Sequence, residues 1–215
     1  MITIPTGDFT GILADVVPFA APDDDMPDIN CVRLEWDGYR LHALATDRYR
    51  IGVSTWEKGD SDGEDVQDDL FTDWGSGDDP WAMSIALDEA KELVKVFKLG
   101  PKEHHTPVTV DYDAGRWHAK VVRARETGHS AITVVTPDTR AEFPDVRALM
   151  TKNDRLESVM SLGFSAKMLA DFAKVRPRGP MELKFTGAEG LTHVTIGERF
   201  VGAIQPVRFG KDGAE

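Results

Sequence analysis

A threefold internal repeat constrains the fold of this chain more than any other feature of the sequence. Three segments, at 1–57, 81–136 and 158–209, each contain a short strand, an amphipathic helix and three further strands. The helices are predicted from apolar residues spaced i, i+3, i+4 and i+7, which place one helix face in a core. Turns such as Asp37-Gly38 join the strands as hairpins. The sequence therefore predicts an α+β chain of three βαβββ units.

Strand alternation and helix caps predict where the elements begin. The first strands of the three units are predicted at 1–4, 81–87 and 158–164. Asp88 and Ser165 are the predicted N-caps of the second and third helices. Asp8 and Asp15 fall on the predicted outer face of the first helix. The inward-facing residues of the third helix are predicted to be Met168, Leu169, Phe172 and Ala173.

The units divide the chain into one full domain and one half domain. Residues 1–136 are predicted to form a domain from two units, with an acidic loop at 58–80 between them. Residues 137–157 are predicted to be a linker, 158–209 a single unit, and 210–215 a tail.

Two loops hold most of the acidic charge. The chain has 25 Lys and Arg against 37 Asp and Glu, a net charge of −12. Residues 57–80 hold ten acids and one base, and residues 22–28 hold four acids, so the rest of the chain is about neutral. Such runs are typical of solvated loops. Asp60, Asp62 and Glu64 alternate as in a calcium loop, but the glycine comes one place early and no closing Glu follows, which excludes an EF-hand.

The sequence lacks the motifs of several function classes. Cys31 is the one cysteine, which excludes a disulfide framework, suits a reducing cytoplasm and predicts a small core residue. The apolar runs are shorter than the ~20 residues of a membrane span, and no export signal is expected from the first residues. There is no nucleophile elbow, P-loop, dinucleotide fingerprint or zinc-protease motif. The pair His104-His105 lacks a third ligand. We therefore expect no enzyme, no metal and no cofactor.

Basic residues form rows on two of the three predicted helices. Lys91, Lys95 and Lys98 are spaced i, i+4 and i+7, opposite the apolar face of the second helix. The other basic residues of these two units' helical regions are Lys102, Lys167, Lys174, Arg176 and Arg178. Such rows suit nucleic-acid phosphates, because nonspecific attraction needs no base contacts. An ordinary solvated helix face is the alternative interpretation.

Three segments resemble motifs of the bacterial replicative sliding clamps, the beta subunit of DNA polymerase III. Residues 44–51, LATDRYRI, resemble the clamp segment ATDGHRL. Residues 143–147, FPDVR, resemble its FPDYR, and residues 204–209, IQPVRF, resemble its closing VMPMRL. The motifs occur in the family's order, and the clamp is itself built from βαβββ units. The resemblance covers nearly the whole chain.

The resemblance implies a ring that encircles double-stranded DNA, with helices lining the hole and sheets outside, and with no catalytic activity. In that family the polymerase and the clamp loader insert short peptides into a hydrophobic cleft. The residues of this chain at the matching positions are Thr46, Tyr49, Arg50, Ile51, Pro144, Leu149, Ile204, Pro206, Val207 and Arg208. Aliphatic side chains are expected to form the cleft walls, with Arg50 and Arg208 at the rim.

The chain also departs from the family. Arg48 stands where the family has glycine, and Ala148 and Gln205 replace the usual Arg and Met. Bacterial clamps carry six units per chain and close as dimers, and other clamps carry four and close as trimers. Three units per chain then predict a homotetrameric ring of twelve units. The reduced size is typical of a phage or mobile-element protein acting in the cytoplasm.

Two other function classes stay open on the sequence. A clamp-derived interaction module or regulator that does not encircle DNA is favoured by the net charge and by a first helix without Lys or Arg. A metal-dependent enzyme would have to use the acidic loop, and deletion of 60–78 tests it.

Overall fold

The computed structural model describes eight stretches of the chain. They are 1–59, 79–100, 106–116, 118–123, 131–137, 142–152, 155–176 and 179–207. The predictions that lie outside these stretches concern the acidic loop over 60–78, the tail over 210–215, and Lys102, His104, His105, Arg178 and Arg208. They stay predictions.

Within the described residues, strands and helices follow each other in the predicted α+β order. The strands are β1 (Ile2–Pro5), β2 (Cys31–Trp36), β3 (Arg40–Thr46), β4 (Arg50–Glu57), β5 (Trp81–Ala86), β6 (Pro107–Asp113), β7 (His118–Arg123), β8 (Ala131–Val135), β9 (Met181–Lys184), β10 (Thr192–Ile196) and β11 (Phe200–Ile204). The helices are α1 (Thr6–Val16), α2 (Leu87–Val96), α3 (Val146–Thr151) and α4 (Ala166–Asp171). Short 3₁₀ turns extend α1 at Val17–Phe19 and α4 at Phe172–Lys174. The predicted fold class is confirmed.

The first two units exchange their first strands. β1 pairs antiparallel with β6 of the second unit, with Ile4 opposite Val108. β5 pairs antiparallel with β2 of the first unit, with Ile85 opposite Val32. α1 and α2 pack against each other and against strands of both sheets. The main hydrophobic core therefore lies between the two units, each of which covers the apolar face of the other. It also extends into the third unit, which contributes Phe172, Val175, Val194, Ile196, Phe200 and Ile204.

Both long helices begin directly where a first strand ends. The backbone N–H of Leu87, the first residue of α2, donates to the carbonyl oxygen of Asn30 at 3.1 Å. The hydrogen bonds of the sheet thus continue into the first turn of the helix. The prediction of Asp88 as the N-cap is wrong, because Ala86 holds that position and Asp88 lies in the first turn. A carboxylate there still interacts favourably with the helix dipole.

Asp15 is buried in α1, so its predicted place on the outer face is wrong. It is 1% exposed, and its carboxylate accepts hydrogen bonds at 2.9 Å from the Ser54 hydroxyl and from the backbone N–H of Arg176. Burial raises the pKa of Asp15, and the two hydrogen bonds and the charges of Arg199 and Arg176 oppose that rise. Asp8, the other acid named on this face, forms an ion pair with Arg199 at 3.1 Å.

The third unit joins the first unit through its last strand. β11 pairs antiparallel with β4, and Ala203 lies opposite Ile51. The strand order is β5-β2-β3-β4-β11-β10-β9 in this seven-stranded sheet and β1-β6-β7-β8 in the other sheet. One continuous sheet therefore spans the first and third units.

The predicted first strand of the third unit, at 158–164, is wrong. The segment makes one isolated antiparallel bridge, in which the Val207 N–H donates to the Gly163 carbonyl at 2.8 Å. In the first two units this strand pairs with the neighbouring unit. Among the described residues no fourth unit exists to pair with it, so the ladder does not form.

The helix of the third unit follows the prediction in part. The N-cap is Ser165 as predicted, and its hydroxyl accepts from the Met168 N–H at 3.5 Å. Phe172 is buried, and Met168 and Leu169 are partly buried. Ala173 is exposed and not inward-facing, because the α-helix tightens into a 3₁₀ turn that rotates this position outward.

A short helix lies inside the segment predicted to be a linker. α3 begins after Asp145, whose carboxylate accepts a hydrogen bond from the Ala148 N–H at 2.9 Å. Arg147 on this helix donates to the carboxylate of Glu35 in β2 at 3.2 Å. The segment is therefore held against the seven-stranded sheet.

Candidate functional site

The first two motif segments and Ala203, which directly precedes the third, meet at one small hydrophobic cluster, which we call the junction cluster. Its buried members are Leu44, Ile51, Val53, Val146 and Ala203, and the partly buried residues packed against it are Phe143, Met150 and Leu191. They come from β3, β4, α3 and β11 and from the loops beside them. Residues that are distant in sequence thus form a common apolar base.

The first motif is a tight turn between β3 and β4. The Thr46 hydroxyl donates to the Arg50 carbonyl at 2.7 Å, and the Asp47 carboxylate accepts from the backbone N–H groups of Tyr49 and Arg50 at 3.1 and 2.8 Å. Arg48 has a φ of 76°, in the left-handed region. This backbone geometry explains why the resembling family carries glycine here, since glycine adopts it without steric cost.

Arg50 is a buried residue, so its predicted place at the rim is wrong. It is 6% exposed and donates five hydrogen bonds. Its Nε and Nη2 bind the Asp47 carboxylate at 2.9 and 2.7 Å, and Nη2 also reaches the Pro18 carbonyl at 3.0 Å. Its Nη1 binds the Met168 carbonyl at 3.1 Å and the Asp171 carboxylate at 2.5 Å. Arg50 therefore ties the turn before β4 to α4 of the third unit.

Asp171 joins this buried arginine to a surface lysine. One of its carboxylate oxygens accepts from Arg50 and the other from Lys174, at 2.6 Å. Burial raises the pKa of Asp171, but the hydrogen bonds and positive charges of Lys174 and Arg50 outweigh it and hold the pKa below its usual value. Asp171 is therefore ionised near neutral pH.

Exposed apolar side chains surround the junction cluster. Tyr49 is 57% exposed, Leu149 47% and Val207 46%, and Pro144 is partly buried. The Gln205 N–H donates to the Tyr49 carbonyl at 2.8 Å, which places the first and third motifs side by side. We call Tyr49, Pro144, Leu149 and Val207 the apolar rim. It is a surface on which an apolar side chain of a peptide can be buried.

Other residues carried over for the cleft are buried within the protein. Thr46 is 4% exposed and Ile51 4%, while Ile204 is 1% exposed and packs in the main core. Pro206 is also buried. These side chains form the base of the site and are not available as its walls. A substitution at Ile204 would therefore destabilise the core, and its effect on peptide binding could not be separated from that loss of stability.

The basic residues of α2 and α4 are on the surface, as predicted. Lys91 and Lys95 are exposed on α2. Lys98 is exposed but lies two residues beyond the end of α2, so the predicted row of three lysines on one helix is only partly formed. Lys167 is exposed on α4, and Lys174 and Arg176 are exposed just after it. Three lysines form ion pairs within their helix turn. The pairs are Lys91 with Asp88 at 2.9 Å, Lys95 with Glu92 at 3.6 Å and Lys174 with Asp171 at 2.6 Å. Lys98 and Lys167 have no ion pair to another described residue.

A second concavity, of about 580 Å³, lies beside α3 and was not anticipated from the sequence. Its lining residues are Glu35, Trp36, Asp37, His42, Pro80, Trp81, Ala82 and Arg147. The Nδ1 atom of His42 lies 2.9 Å from the Thr55 hydroxyl. Burial lowers the pKa of His42, as does the charge of Arg147, while Asp37 and Glu35 oppose the shift. His42 is therefore neutral at neutral pH.

Cys31 is buried, as predicted for a core residue. In the described stretches no group of three His, Cys, Asp or Glu residues is arranged to hold a metal ion. Of the helices in those stretches, none has the length and apolar character needed to cross a membrane.

Solved structures with this architecture are DNA sliding clamps. The DNA polymerase III beta subunit of Thermotoga maritima matches with a TM-score of 0.67 and 16% identity, over 98% of this chain and 66% of that chain. The sliding clamp of Pseudomonas aeruginosa matches with a TM-score of 0.70 and 12% identity, over 96% and 65%. The clamp of Bacillus subtilis matches with a TM-score of 0.67 and 14% identity, over 97% and 64%. The sequence itself matches no protein-family model and no curated protein.

The chain has the sliding-clamp fold. It spans 64–66% of the length of these clamps. Identities of 12–16% concern the fold alone.

Proposed function

We propose that this chain is a DNA polymerase processivity factor, whose copies close into a ring around duplex DNA and hold the polymerase on its template. The observation that carries the proposal is the sliding-clamp fold over 96–98% of the chain. In this proposal the protein has no catalytic activity and no cofactor. It acts in the cytoplasm, that of the host if a phage encodes it.

In the proposed ring, α2 and α4 face the DNA. The residues placed near phosphates are Lys91, Lys95, Lys98, Lys102, Lys167, Lys174, Arg176 and Arg178. Lys98 and Lys167, which have no acidic partner among the described residues, are available to phosphates directly. The other lysines must first give up an ion pair with a carboxylate before they bind a phosphate, and this cost keeps each contact weak. They are Lys91, Lys95 and Lys174. Weak, sequence-independent contacts of this kind allow a ring to slide.

The apolar rim is the proposed docking site for peptides of the polymerase and the clamp loader. Tyr49, Leu149 and Val207 expose apolar surface above a packed base, so a peptide side chain gains burial there without opening the core. Arg208 is proposed to complete this site at the end of the third motif.

The proposed ring is a homotetramer. Four chains of 23.7 kDa supply twelve units and a mass of about 95 kDa. Light scattering of the purified protein measures this mass directly.

Topological retention on DNA tests the ring. We expect protein loaded onto nicked circular DNA to stay bound through a high-salt wash and to be lost when the circle is cut. A ring slides off a free end, whereas a protein that grips one side of the duplex does not distinguish the two forms. Equal loss from circular and linear DNA would refute the proposal.

Matched single substitutions test the DNA-facing surface. Lys98→Ala removes one proposed phosphate contact from each of the four copies in the ring. At about 0.9 per contact, the slope of log K against log salt for binding to duplex should fall by up to about 3.6. Lys120→Ala, at an exposed position of β7 outside the helices, should leave the slope unchanged. Equal slopes for the two variants would contradict the assignment of α2 to the hole.

Matched substitutions also test the apolar rim. Leu149→Asp should shorten the products of a bacterial DNA polymerase III on a primed circular template, because a charge replaces an apolar anchor. Tyr39→Asp is the control, since Tyr39 is 49% exposed against 47% for Leu149 and lies at the β2–β3 turn. Both variants should keep the far-UV spectrum of the original chain.

A clamp-derived regulator that does not encircle DNA is the second candidate. It is favoured by the absence of Lys and Arg from α1, by the ion pairs that neutralise three lysines at α2 and α4, and by the net charge of −12. It predicts binding to the polymerase without topological retention on circular DNA.

A further inference from the structure

We propose that the third unit is completed by the third unit of a second copy of this chain, so that two half domains form one whole domain. The strand exchange between the first two units supplies the pattern for this contact. The inference deepens the proposed ring by naming a surface through which copies join, and it does not depend on DNA binding.

The segment 158–164 has the apolar pattern of the first strands β1 and β5, but it is not paired with a strand that corresponds to β6 or β2. α1 follows β1 directly, α2 follows β5 directly, and α4 follows Ser165, so the three segments can be compared position by position. Counted back from the helix, Phe164 and Leu162 take the places of Ile4 and Ile2 in the first unit. In the second unit the same places are held by Ile85 and Met83. These four residues are between 0 and 3% exposed.

The third unit leaves the corresponding surface open. Phe164 and Leu162 are only partly buried, and Met160, two residues further back, is 106% exposed. Met160 corresponds to Trp81 of the second unit, which packs on the main core. A row of apolar residues at every second position, uncovered on one side, is typical of a strand that pairs with another chain.

β9 offers the matching sheet edge. It is the edge strand of the seven-stranded sheet and the strand that follows the helix in its unit, as β2 and β6 are in theirs. β2 and β6 each pair with a first strand of the neighbouring unit. Met181 and Leu183 lie opposite the buried Ile196 and Val194 of β10, so they share the apolar face of the sheet. Met181 remains 37% exposed.

The register of the contact follows from the complete units. Ile4 lies opposite Val108, which follows Pro107, and Met181 likewise follows Pro180. Phe164 then lies opposite Met181 of the second copy, and Leu162 opposite its Leu183. Every directly opposed pair on the inner face is apolar, and the two-fold axis repeats each pair.

The backbone of the segment is arranged to accept the second copy. Gly163 is bonded to Val207 on one edge of the segment. Because successive residues of an extended chain direct their N–H and C=O groups to opposite edges, those of Leu162 and Phe164 face the other edge. Within the described stretches neither residue has a backbone hydrogen bond. They are therefore free to pair with β9 of the second copy.

The burial of the helices also supports a contact between two third units. α1 buries six of its residues and α2 buries three, partly because they pack against each other, whereas α4 buries none. Met168 and Leu169 of α4 remain only partly buried. Pairing of two third units places α4 against α4 of the second copy, in the position that α2 takes on α1.

This pairing leaves β8 uncovered at each end of the two-chain assembly. β8 is an edge strand of the four-stranded sheet, and its Ile132 and Val134 are 58% and 61% exposed. Two assemblies joined at β8 contain twelve units, which is the number in the proposed tetramer.

Light scattering with two matched variants tests the contact. The original chain is expected at about 95 kDa, and Met160→Asp should halve this mass, because a charge enters the inner face of the new domain. Met160 is 106% exposed in the single chain, so this variant should keep its far-UV spectrum. Tyr39→Asp should stay at about 95 kDa. A 23.7 kDa monomer for the original chain, or an unchanged mass for Met160→Asp, would overturn the proposal.

A pair of introduced cysteines tests the register independently of any loss of folding. The chain with Leu162→Cys and Leu183→Cys should form a covalent species of twice 23.7 kDa on a non-reducing gel under mild oxidation. The chain with Leu162→Cys and Val134→Cys should not, and no such species in either chain would overturn the register. Cross-linked protein that leaves circular DNA as fast as linear DNA would refute the proposed function and uphold this contact.

Discussion

Replacing Arg50 by lysine is the substitution that most directly tests how the first and third units are held together. The change keeps the positive charge and the buried aliphatic stem. Arg50 donates five hydrogen bonds to four groups, and a lysine has three N–H donors, so at least two bonds are lost. Each lost bond that involves a charged group costs about 1.5–3 kcal/mol. We expect Arg50→Lys to lower the free energy of unfolding by about 3 kcal/mol, the low end of that range for two bonds, because water partly reaches the Asp171 side chain.

Urea unfolding followed by circular dichroism at pH 7 measures this free energy by linear extrapolation. Arg147→Lys is the matched control, since Arg147 is exposed and forms one surface ion pair with Glu35. Its effect should stay below about 0.5 kcal/mol. Hydrogen exchange should further find the amides of α4 less protected in Arg50→Lys, because Arg50 binds the Met168 carbonyl and Asp171.

The pH dependence gives a second measurement of the same contact. The folded-state pKa of Asp171 is lowered, so its contribution to stability is full above pH 3.8 and is lost as the pH falls through the folded pKa. Arg50→Met removes one of the two cations beside Asp171 and should weaken this loss of stability in acid. An Arg50→Lys variant within about 1 kcal/mol of the original chain, with unchanged protection of α4, would refute the view that Arg50 joins the two units.

Three further substitutions test local features. Arg48→Gly should raise the free energy of unfolding by about 1 kcal/mol in urea titrations, because the φ of 76° strains arginine and not glycine; a loss of stability would contradict this. Asp15→Asn keeps an acceptor for the Arg176 N–H and removes a buried charge whose pKa is raised. The folded state therefore holds the Asp15 proton more tightly than the unfolded chain, so the variant's stability relative to the original should increase as the pH rises above 3.8, and a constant difference would refute it. Gly52→Ala brings a Cβ atom within 2.8 Å of the Phe19 ring and should cost about 1–3 kcal/mol, whereas Gly100→Ala meets no atom within 4 Å and should be neutral.

The sequence patterns predicted correctly the helices and hairpins that are formed by residues a few positions apart in the chain. The apolar spacing that predicts α1 corresponds to Phe9, Ile12 and Leu13, all of which are buried. The Asp37-Gly38 turn joins β2 and β3 in the structure, and the Asp37 carboxylate accepts from the N–H groups of Tyr39 and Arg40. Hairpins and amphipathic helices depend on residues a few positions apart, so the sequence displays them directly.

The errors concern residues whose environment is set by distant parts of the chain. Asp15 was expected in solvent because aspartate usually is, yet Ser54 and the Arg176 backbone lie where they satisfy its carboxylate. The segment 158–164 has the composition of a strand but lacks a strand to pair with among the described residues. No single-chain pattern reveals the absence of a partner.

The motifs predicted which segments form the candidate site, but they did not predict which of its side chains are buried. The motifs identified the three segments that meet, but motif matching could not separate the exposed Leu149 and Val207 from the buried Ile204. Arg50 illustrates the reason, since a charged side chain next to a turn is usually solvated and here is surrounded by four acceptors. Val53, two residues beyond the first motif, alternates with Ile51 along β4, and this alternation is the signal that would have extended the site.

The pairing of β4 with β11 also constrains the order in which the parts of the chain can fold during synthesis. Arg50 lies opposite Ile204, so roughly 150 residues must leave the ribosome between the synthesis of one strand and that of its neighbour. Until then β4 is an uncovered strand edge that can associate with other nascent chains. During synthesis the junction cluster and the Arg50 contacts therefore form late, and the chain acquires its apolar rim, the proposed docking surface, only after the third unit has folded onto the first.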